Sequence, residues 1–432
     1  MARIVVATTP FHGHVAALAP IVRALVERGN DVVWYSGEKY RQRIMETGAA
    51  HAPMSAATDY DDQDLGATFP GWEGLDGLQA LKFMIKHVCT DAVPGQIEDL
   101  RTILSDFPAE VILADTTFLG SRWLHELGGP PWATFNQLPL TISSCDTAPF
   151  GTGLPPAASR LGRARARVLH ELFSRIVFRD VSRYTDQKRA ELGLPPTGAY
   201  VMDNQVSPFL YLQGSAEAFE YPRSDLPSQV HFIGPVLPGA PEDFVRPDWW
   251  SDLHDERPVV HVTQGTLATQ AEQLIAPTIR ALADDDVLVV ATTGGGTAEG
   301  LRSDQLPDNV RVESFVPHVH LLPHVDLMIT NGGFNGVQMA LSHGVPLVAG
   351  GVTEDKPEVC ARIDWAGVGI NLKTAEPGEQ KIREAVQTVL SEPGYRQRAR
   401  KLADEFARYN ASEDGARLVE RLAETGEPVL RT

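Results

Sequence analysis

Val325–Ile363 reads VDLMITNGGFNGVQMALSHGVPLVAGGVTEDKPEVCARI, and its order of elements decides the fold. VDLMIT is an apolar run of buried-strand length, and NGGFNG is a turn that opens into a helix, VQMALSH, which Gly344 closes. GVPLVAG is the next buried strand, and TEDKPE starts another helix. This strand–glycine turn–helix–strand order aims helix-start N–H groups at one point beyond the strand ends. The unpaired donors and the helix dipole favour an anion such as phosphate there. Gly332 and Gly333 lack a Cβ, so a phosphate oxygen has room to approach the backbone.

The same alternation extends in both directions. PVVHVTQGT (258–266), VLVVATTGG (287–295), VRVESFV (310–316), DLMITN (326–331) and PLVAGG (346–351) read as strands. Helices are expected near 270–283, 336–343, 356–366 and 379–391, and the tail 394–425 reads as two amphipathic helices. Upstream, 236–257 clusters Pro, Gly and charge as linkers do. Before it lie RIVVATT (3–9), DVVWYS (31–36), EVILAD (110–115) and PWATFN (131–136). A helix from Val15 to Arg28 sets Val15, Leu18, Ile21, Val22 and Leu25 on one face and ends at Gly29. Further helices are expected near 38–48, 76–87, 91–104 and 118–127, with long Arg- and Ala-rich helices over 155–195. Strands alternating with helices imply parallel sheets covered on both faces. The class is therefore α/β, with two doubly wound Rossmann-like domains, 1–237 and 258–432, joined by a linker at 238–257. Ligands of such sheets bind beyond the carboxyl ends of strands, which points to a cleft between the two.

Composition narrows the function. The 432 residues are 43% hydrophobic and 22% charged, values of a soluble globular protein. No apolar run reaches the ~18 residues of a spanning helix, and MARIVVATTP reads as a first strand rather than a signal peptide. Cys89, Cys145 and Cys360 stand far apart without metal-ligand spacing, which suggests free thiols in the cytoplasm. A net charge of −18 argues against a nucleic-acid surface but not against a nucleotide, which needs only a local pocket of donors. Asp61-Asp62-Gln63-Asp64 has the composition of a metal site, but it sits in a polar loop and reads as a solvated acidic stretch. Arg160, Arg163, Arg165 and Arg167 read as a solvated helix face.

Taken in order, PFHGHVAALAP (10–20), LADTTF (113–118), VTQGT (262–266), FVPH (315–318), NGGFNGVQMALSHGVP (331–346) and EDK (354–356) resemble the GT-B glycosyltransferases. The similarity is to the nucleotide-sugar-dependent family that includes plant and animal UDP-glycosyltransferases and bacterial macrolide and natural-product glycosyltransferases. It covers nearly the whole chain. It implies an N-terminal acceptor domain, a C-terminal nucleotide-sugar domain and a final helix that packs back on the first. The implied activity is inverting, metal-independent and free of cofactors: a hexose, by default glucose from UDP-glucose, moves to a hydroxyl of a lipophilic small molecule such as a polyketide or phenolic. The implied partners are that donor and that acceptor, with no nucleic acid and no stable membrane insertion.

The resemblance also assigns roles. His14 matches the general base, and a histidine, with its ordinary pKa near 6.5, is suited to accept a proton at working pH. Asp115 matches the carboxylate that orients it, by the logic of a triad. His12 is the rival histidine in HGH, and from spacing alone both residues also serve as a plain helix start and strand end. Phe315 matches the aromatic that stacks on the base, Val316 the backbone that meets the base edge, and His318 a residue near the ribose. Thr266, Asn331, Gly333, Asn335 and Gly336 match the diphosphate site, which steadies the departing charge. Asp355 matches the carboxylate that holds sugar hydroxyls, with Lys356 beside it where plant relatives have Gln; the pair also suits an ordinary first helical turn. Trp72, Phe83, Phe118, Phe135 and Asn136, named from their places after strands, are candidate acceptor lining.

Two positions depart from the pattern. Asn331 replaces a common His, and Met339 replaces a common Glu that holds the ribose hydroxyls; Met cannot accept those bonds. Gln338 is a possible substitute, although a helical neighbour points about 100° away. These departures leave room for a dTDP-sugar donor, or for a catalytically silent auxiliary or binding protein of the same fold. An epimerase would need a cluster of acids and His that the sequence does not assemble.

Overall fold

Apolar runs without polar alternation are strands buried on both faces, and here they form two all-parallel sheets. A computed structural model describes residues 1–198, 200–239, 241, 243–265, 271–294 and 306–431. The first sheet holds β1 (Arg3–Ala7), β2 (Asp31–Ser36), β3 (Ala50–Pro53), β4 (Val111–Asp115), β5 (Trp132–Asn136), β6 (Leu210–Gln213) and β7 (Val230–Phe232). Their order is β3-β2-β1-β4-β5-β6-β7. The second sheet holds β8 (Val259–Thr263), β9 (Leu288–Thr292), β10 (Val310–Glu313), β11 (Leu327–Thr330), β12 (Leu347–Ala349) and β13 (Gly369–Asn371), ordered β10-β9-β8-β11-β12-β13. Strand order reverses between β1 and β4 and between β8 and β11, the switch points at which such sheets take ligands.

Register sets what meets at those points. Ala7 lies level with Ala114, so Thr8-Thr9 leaves β1 beside Asp115. Thr330 lies level with Thr263, so the Asn331–Gly333 turn and Gln264-Gly265 are neighbours.

The helix His12–Glu27 buries Val15, Leu18, Ile21, Val22 and Leu25 on the first sheet, each worth roughly 1.5–3 kcal/mol. The last helix, Ala411–Thr425, packs beside it and adds Ala416, Val419 and Leu422 to the same core. Close approach is possible because Gly415 lies against Ile21, whose Cδ1 would be 3.1 Å from a Cβ there. Arg28 holds the outer edge, 3.0 Å from Glu413 and 2.7 Å from Glu420.

The chain divides into two compact units: Met1–Phe150 with Pro156–Pro238 and Tyr409–Thr432, and Gly239–Arg408 with Gly151–Pro155. These differ from the boundaries 1–237, 238–257 and 258–432 for physical reasons. The stretch after Pro238 is folded structure of the second unit: Trp249 Nε1 donates to Glu313 Oε1 at 2.8 Å, and Arg311 pairs with Asp252 at 2.6 Å. Gly151–Pro155 joins that unit because Glu358 Oε1 accepts the backbone N–H groups of Gly151 and Gly153 at 2.9 and 2.8 Å. The three cysteines are free, with Cys89 and Cys360 buried. Among the described residues no helix is long and apolar enough to cross a membrane.

Candidate active site

Asp115, the last residue of β4, is completely buried. Its Oδ2 accepts the Thr9 N–H at 2.7 Å and the Thr9 hydroxyl at 3.1 Å. Its Oδ1 accepts the N–H and hydroxyl of Thr117, both at 2.6 Å, and lies 3.1 Å from His14 Nδ1. Burial alone would raise the carboxyl, but His14 and the Thr117 donors outweigh it, and the acid is held below the ordinary carboxylate range. An ionised carboxylate only accepts, so His14 Nδ1 carries its proton toward Asp115, and Nε2 is the ring nitrogen left to exchange a proton. His12, two residues earlier, is exposed; its ring nitrogens lie 3.4 and 3.5 Å from Arg43 Nη1, and burial and that cation lower its pKa. Of the HGH pair, His14 is the one seated on a carboxylate. Thr9 and Thr117 had no sequence signal beyond lying next to the dyad.

An aromatic cluster adjoins His14. The Phe11 ring is 5.3 Å from the imidazole and 5.5 Å from Tyr60, which is 5.2 Å from Phe69. Trp72 belongs to this cluster and packs on Phe83 at 5.9 Å, both half-buried. Phe118, Phe135 and Asn136 are corrections: none exposes any surface, so none lines an open pocket. Phe118 packs edge-on to Tyr35 at 5.8 Å, Phe135 faces the core under the first helix, and the Asn136 amide donates to Gln213 and to the Leu138 carbonyl. Position after a strand did not reveal that these side chains turn inward. Asp61 and Asp62 hold Lys39 at 2.5 and 2.7 Å, and Asp64 accepts the Ala67 N–H at 3.2 Å. Among the described residues the one close group of metal-ligating type is Cys145, Asp146 and Asp225, whose carboxylates are already occupied by Ser224, Arg163 and Ser144.

In the second unit the glycine turn is built as the sequence implies. Gly332 has φ +86°, and a Cβ on it would stand 2.7 Å from Cys360 Sγ. Asn331 is spent on the turn itself: its amide donates to the Gln264 carbonyl and its Oδ1 accepts the Gly333 N–H at 3.3 Å. Gly333 caps the helix Phe334–Ser342 without any side-chain cap. The positive end of the helix dipole lies at this turn. Asn335, Gly336 and Met339 are half-buried, whereas Gln338 is buried in the fold. Gln338 thus does not share the partly open setting of Met339. Thr266 lies outside the described residues.

Phe315 is 63% exposed, an unusual state for a large ring and one suited to stacking, while Val316 is buried. His318 begins a short helix, His318–Leu321, and its Nε2 lies 3.2 Å from Nε2 of His261, a fully buried residue of β8. Burial drives both imidazoles down, to about 4 for His318 and about 3 for His261, so both are neutral at ordinary pH. The His261 contact was not foreseen, because a lone His inside an apolar strand reads as core.

Asp355 precedes the helix Lys356–Ala366 and makes no capping bond with its side chain. Burial pushes its carboxyl up to about 6, against the pull of Lys356. Its neighbour Glu354 has φ +56°, a left-handed value that non-glycine residues seldom adopt. Lys356 Nζ contacts Glu354 and lies 3.3 Å from Thr353 Oγ1. Its Cβ would be 2.8 Å from a Cβ on Gly351, so the lysine stem runs along the glycine turn.

Two Rossmann-like sheets, a His–Asp pair on the first and a glycine turn on the second define a GT-B protein, and the comparisons agree. Residues 276–422 match the family described as erythromycin biosynthesis protein CIII-like, C-terminal domain. The chain is 46% identical to 4′-demethylrebeccamycin synthase of Lentzea aerocolonigenes over 98% of its own length and 99% of that protein. It is 35% identical to UDP-glycosyltransferase 2 of Phaeomoniella chlamydospora, over 97% and 95% of the two chains. Among solved structures, the glycosyltransferase of kitacinnamycin superposes with a TM-score of 0.76 at 22% identity, over 97% of this chain and 98% of that one. The chain belongs to the natural-product glycosyltransferases of the GT-B fold.

Proposed function

We propose that the chain is an inverting hexosyltransferase that moves glucose from UDP-glucose to a hydroxyl of a lipophilic small molecule such as a polyketide or phenolic, without a metal or other cofactor. The observation that carries this reading is the His14–Asp115 contact at 3.1 Å, which leaves Nε2 as a free base. His14 takes the proton of the acceptor hydroxyl. That oxygen bonds to the anomeric carbon as the bond to the diphosphate breaks, and the electron pair leaves with the phosphate oxygen. In-line attack turns an α-linked donor into a β-linked product. Charge that builds on the leaving diphosphate meets the positive end of the helix Phe334–Ser342, the work a cation does elsewhere. Phe315 stacks on the base, Val316 offers its backbone to the base edge, and Asp355 with Lys356 takes the sugar hydroxyls. Trp72 and Phe83 remain acceptor candidates, and the free thiols suit a cytoplasmic setting.

A second reading, a dTDP-sugar donor, is favoured by one observation: Met339 offers no acceptor for a ribose hydroxyl. The test is a donor and acceptor screen by mass spectrometry, with UDP-glucose, UDP-galactose, UDP-N-acetylglucosamine and dTDP-glucose against phenols, flavonoids and polyketides. A hexose mass gain that disappears in His14→Ala supports the reaction and fixes the donor. Nucleotide binding without transfer for any pair would favour an auxiliary binding protein instead.

A further inference from the structure

Val290 O fixes a proton. It can only accept, and His261 Nδ1 lies 2.9 Å from it, so His261 is protonated on Nδ1. A neutral ring protonated there has a lone pair on Nε2. His318 Nε2, 3.2 Å away, must then carry the hydrogen that joins the two rings. The second ring is neutral too, so its remaining nitrogen, Nδ1, is an acceptor. No hydrogen bond reaches that nitrogen among the described residues, and His318 is half-buried rather than sealed. The relay thus runs from a strand carbonyl, through two imidazoles, to one outward lone pair.

His318 begins an element packed on the helix in which the sequence lacks an acceptor. His261 is level with Met328 across the sheet, and the Met328 methyl would be 3.8 Å from a Cβ on Gly336 of the helix Phe334–Ser342. The His318–Leu321 helix packs on that same helix. Met339 lies in that helix and His343 caps its C-terminal end four residues later, and His343 is near enough to His318 to lower its pKa. Met339 itself cannot accept a hydrogen bond.

We propose that His261 is a positioning residue that locks His318 in the Nε2-protonated tautomer, so that His318 Nδ1 accepts a ribose hydroxyl of the donor in place of the carboxylate absent at Met339. The chain therefore selects ribonucleotide donors. This rests on the nucleotide-sugar reading of the same unit.

Two measurements on the full-length protein test it. Nitrogen-15 spectra of histidine-labelled protein report tautomers directly and need no nucleotide. The expected pattern is His261 protonated on Nδ1 and His318 on Nε2; His261 protonated on Nε2 reverses the relay and overturns the proposal. The second is affinity for UDP, 2′-deoxy-UDP and 3′-deoxy-UDP. Wild type should bind UDP about three- to tenfold more tightly than one of the deoxy analogues, the worth of one net hydrogen bond. His318→Leu should erase that difference and leave the weaker analogue's affinity unchanged. His261→Leu should erase it too, whereas His261→Gln, which can still donate to Val290 and accept from His318, should keep it. Equal binding of all three nucleotides by wild type, or a preference that survives in His318→Leu, overturns the proposal. Failure of wild type to bind any nucleotide overturns the nucleotide reading as well, a result the tautomer spectrum distinguishes. If His261→Leu does not fold, the His318→Leu and wild-type arms still decide.

Discussion

A single carboxylate with five contacts organises the candidate site of the first unit. Asp115 accepts from two threonines and holds His14, so its ionised state is bound into the fold. Its folded pKa is depressed. It therefore contributes stability above the unfolded value near 3.9 and loses it as pH falls through the folded value. The stability gap between wild type and Asp115→Asn, read from urea midpoints, should be constant from about pH 5 to 8 and narrow below about pH 4. In His14→Ala the expected loss of turnover is about 10²–10⁴-fold with donor affinity retained, measured by steady-state rates and calorimetry. Asp355 has the opposite sign. Its carboxyl is raised to about 6, so the ionised form costs stability above the unfolded value. Asp355→Asn should raise the Tm at pH 7.5 by about 2–4 °C and give no gain near pH 3.5. In wild type the KM for the donor should climb as pH falls through about 6, because a protonated carboxyl accepts sugar hydroxyls less well, and the Asn variant should lose that dependence. The residue scale is also where sequence reading failed most. Phe118, Phe135 and Asn136 were placed by position after a strand, but which side of the sheet a terminal side chain takes depends on the next turn. The His261–His318 contact joins residues 57 apart that no local pattern links.

At the scale of elements, the glycine turn is a joint between two strands and two helices. Gly332 needs its left-handed φ, and its missing Cβ makes room for Cys360 of the next helix. Gly332→Ala should cost about 1–3 kcal/mol in denaturant melts and weaken donor binding. Adding Cys360→Ala should relieve the collision but not the φ strain, so recovery should be partial. Turn, helix and strands here were legible because glycine, cap and apolar run all pointed one way. The strands Ala50–Pro53, Leu210–Gln213, Val230–Phe232 and Gly369–Asn371 were not. Each is only three or four residues long, too short to show a period, and each owes its conformation to the neighbour it pairs with. Expected strands such as 3–9 and 310–316 also end early, at Ala7 and Glu313, because the residues that follow, Thr8-Thr9 and Ser314–Val316, leave the sheet and turn into loops.

For the whole molecule, the two-unit plan was legible from the alternation of elements, but the allocation of residues to units was not. A composition shift marks where a chain is polar; it does not tell which body the polar stretch folds onto. Only contact reveals that Gly239 onward is structured, or that Gly151–Pro155 is tied down by a buried glutamate. Removing residues 409–432 should strip Val15, Ile21 and Val22 of the cover given by Ala416, Val419 and Leu422. The expected result is a protein whose first unit loses its cooperative melt and binds a hydrophobic dye, while tryptophan signals from Trp249 and Trp250 in the second unit persist. That closing helix has a further consequence for synthesis. A ribosome releases the chain from its amino end, so the apolar face of His12–Glu27 emerges long before its lid, Ala411–Thr425. At roughly 5–20 residues per second the gap is about 20–80 s. The body begun first is thus the one completed last, and through that interval a nascent chain carries an unfinished hydrophobic surface that a chaperone has time to find.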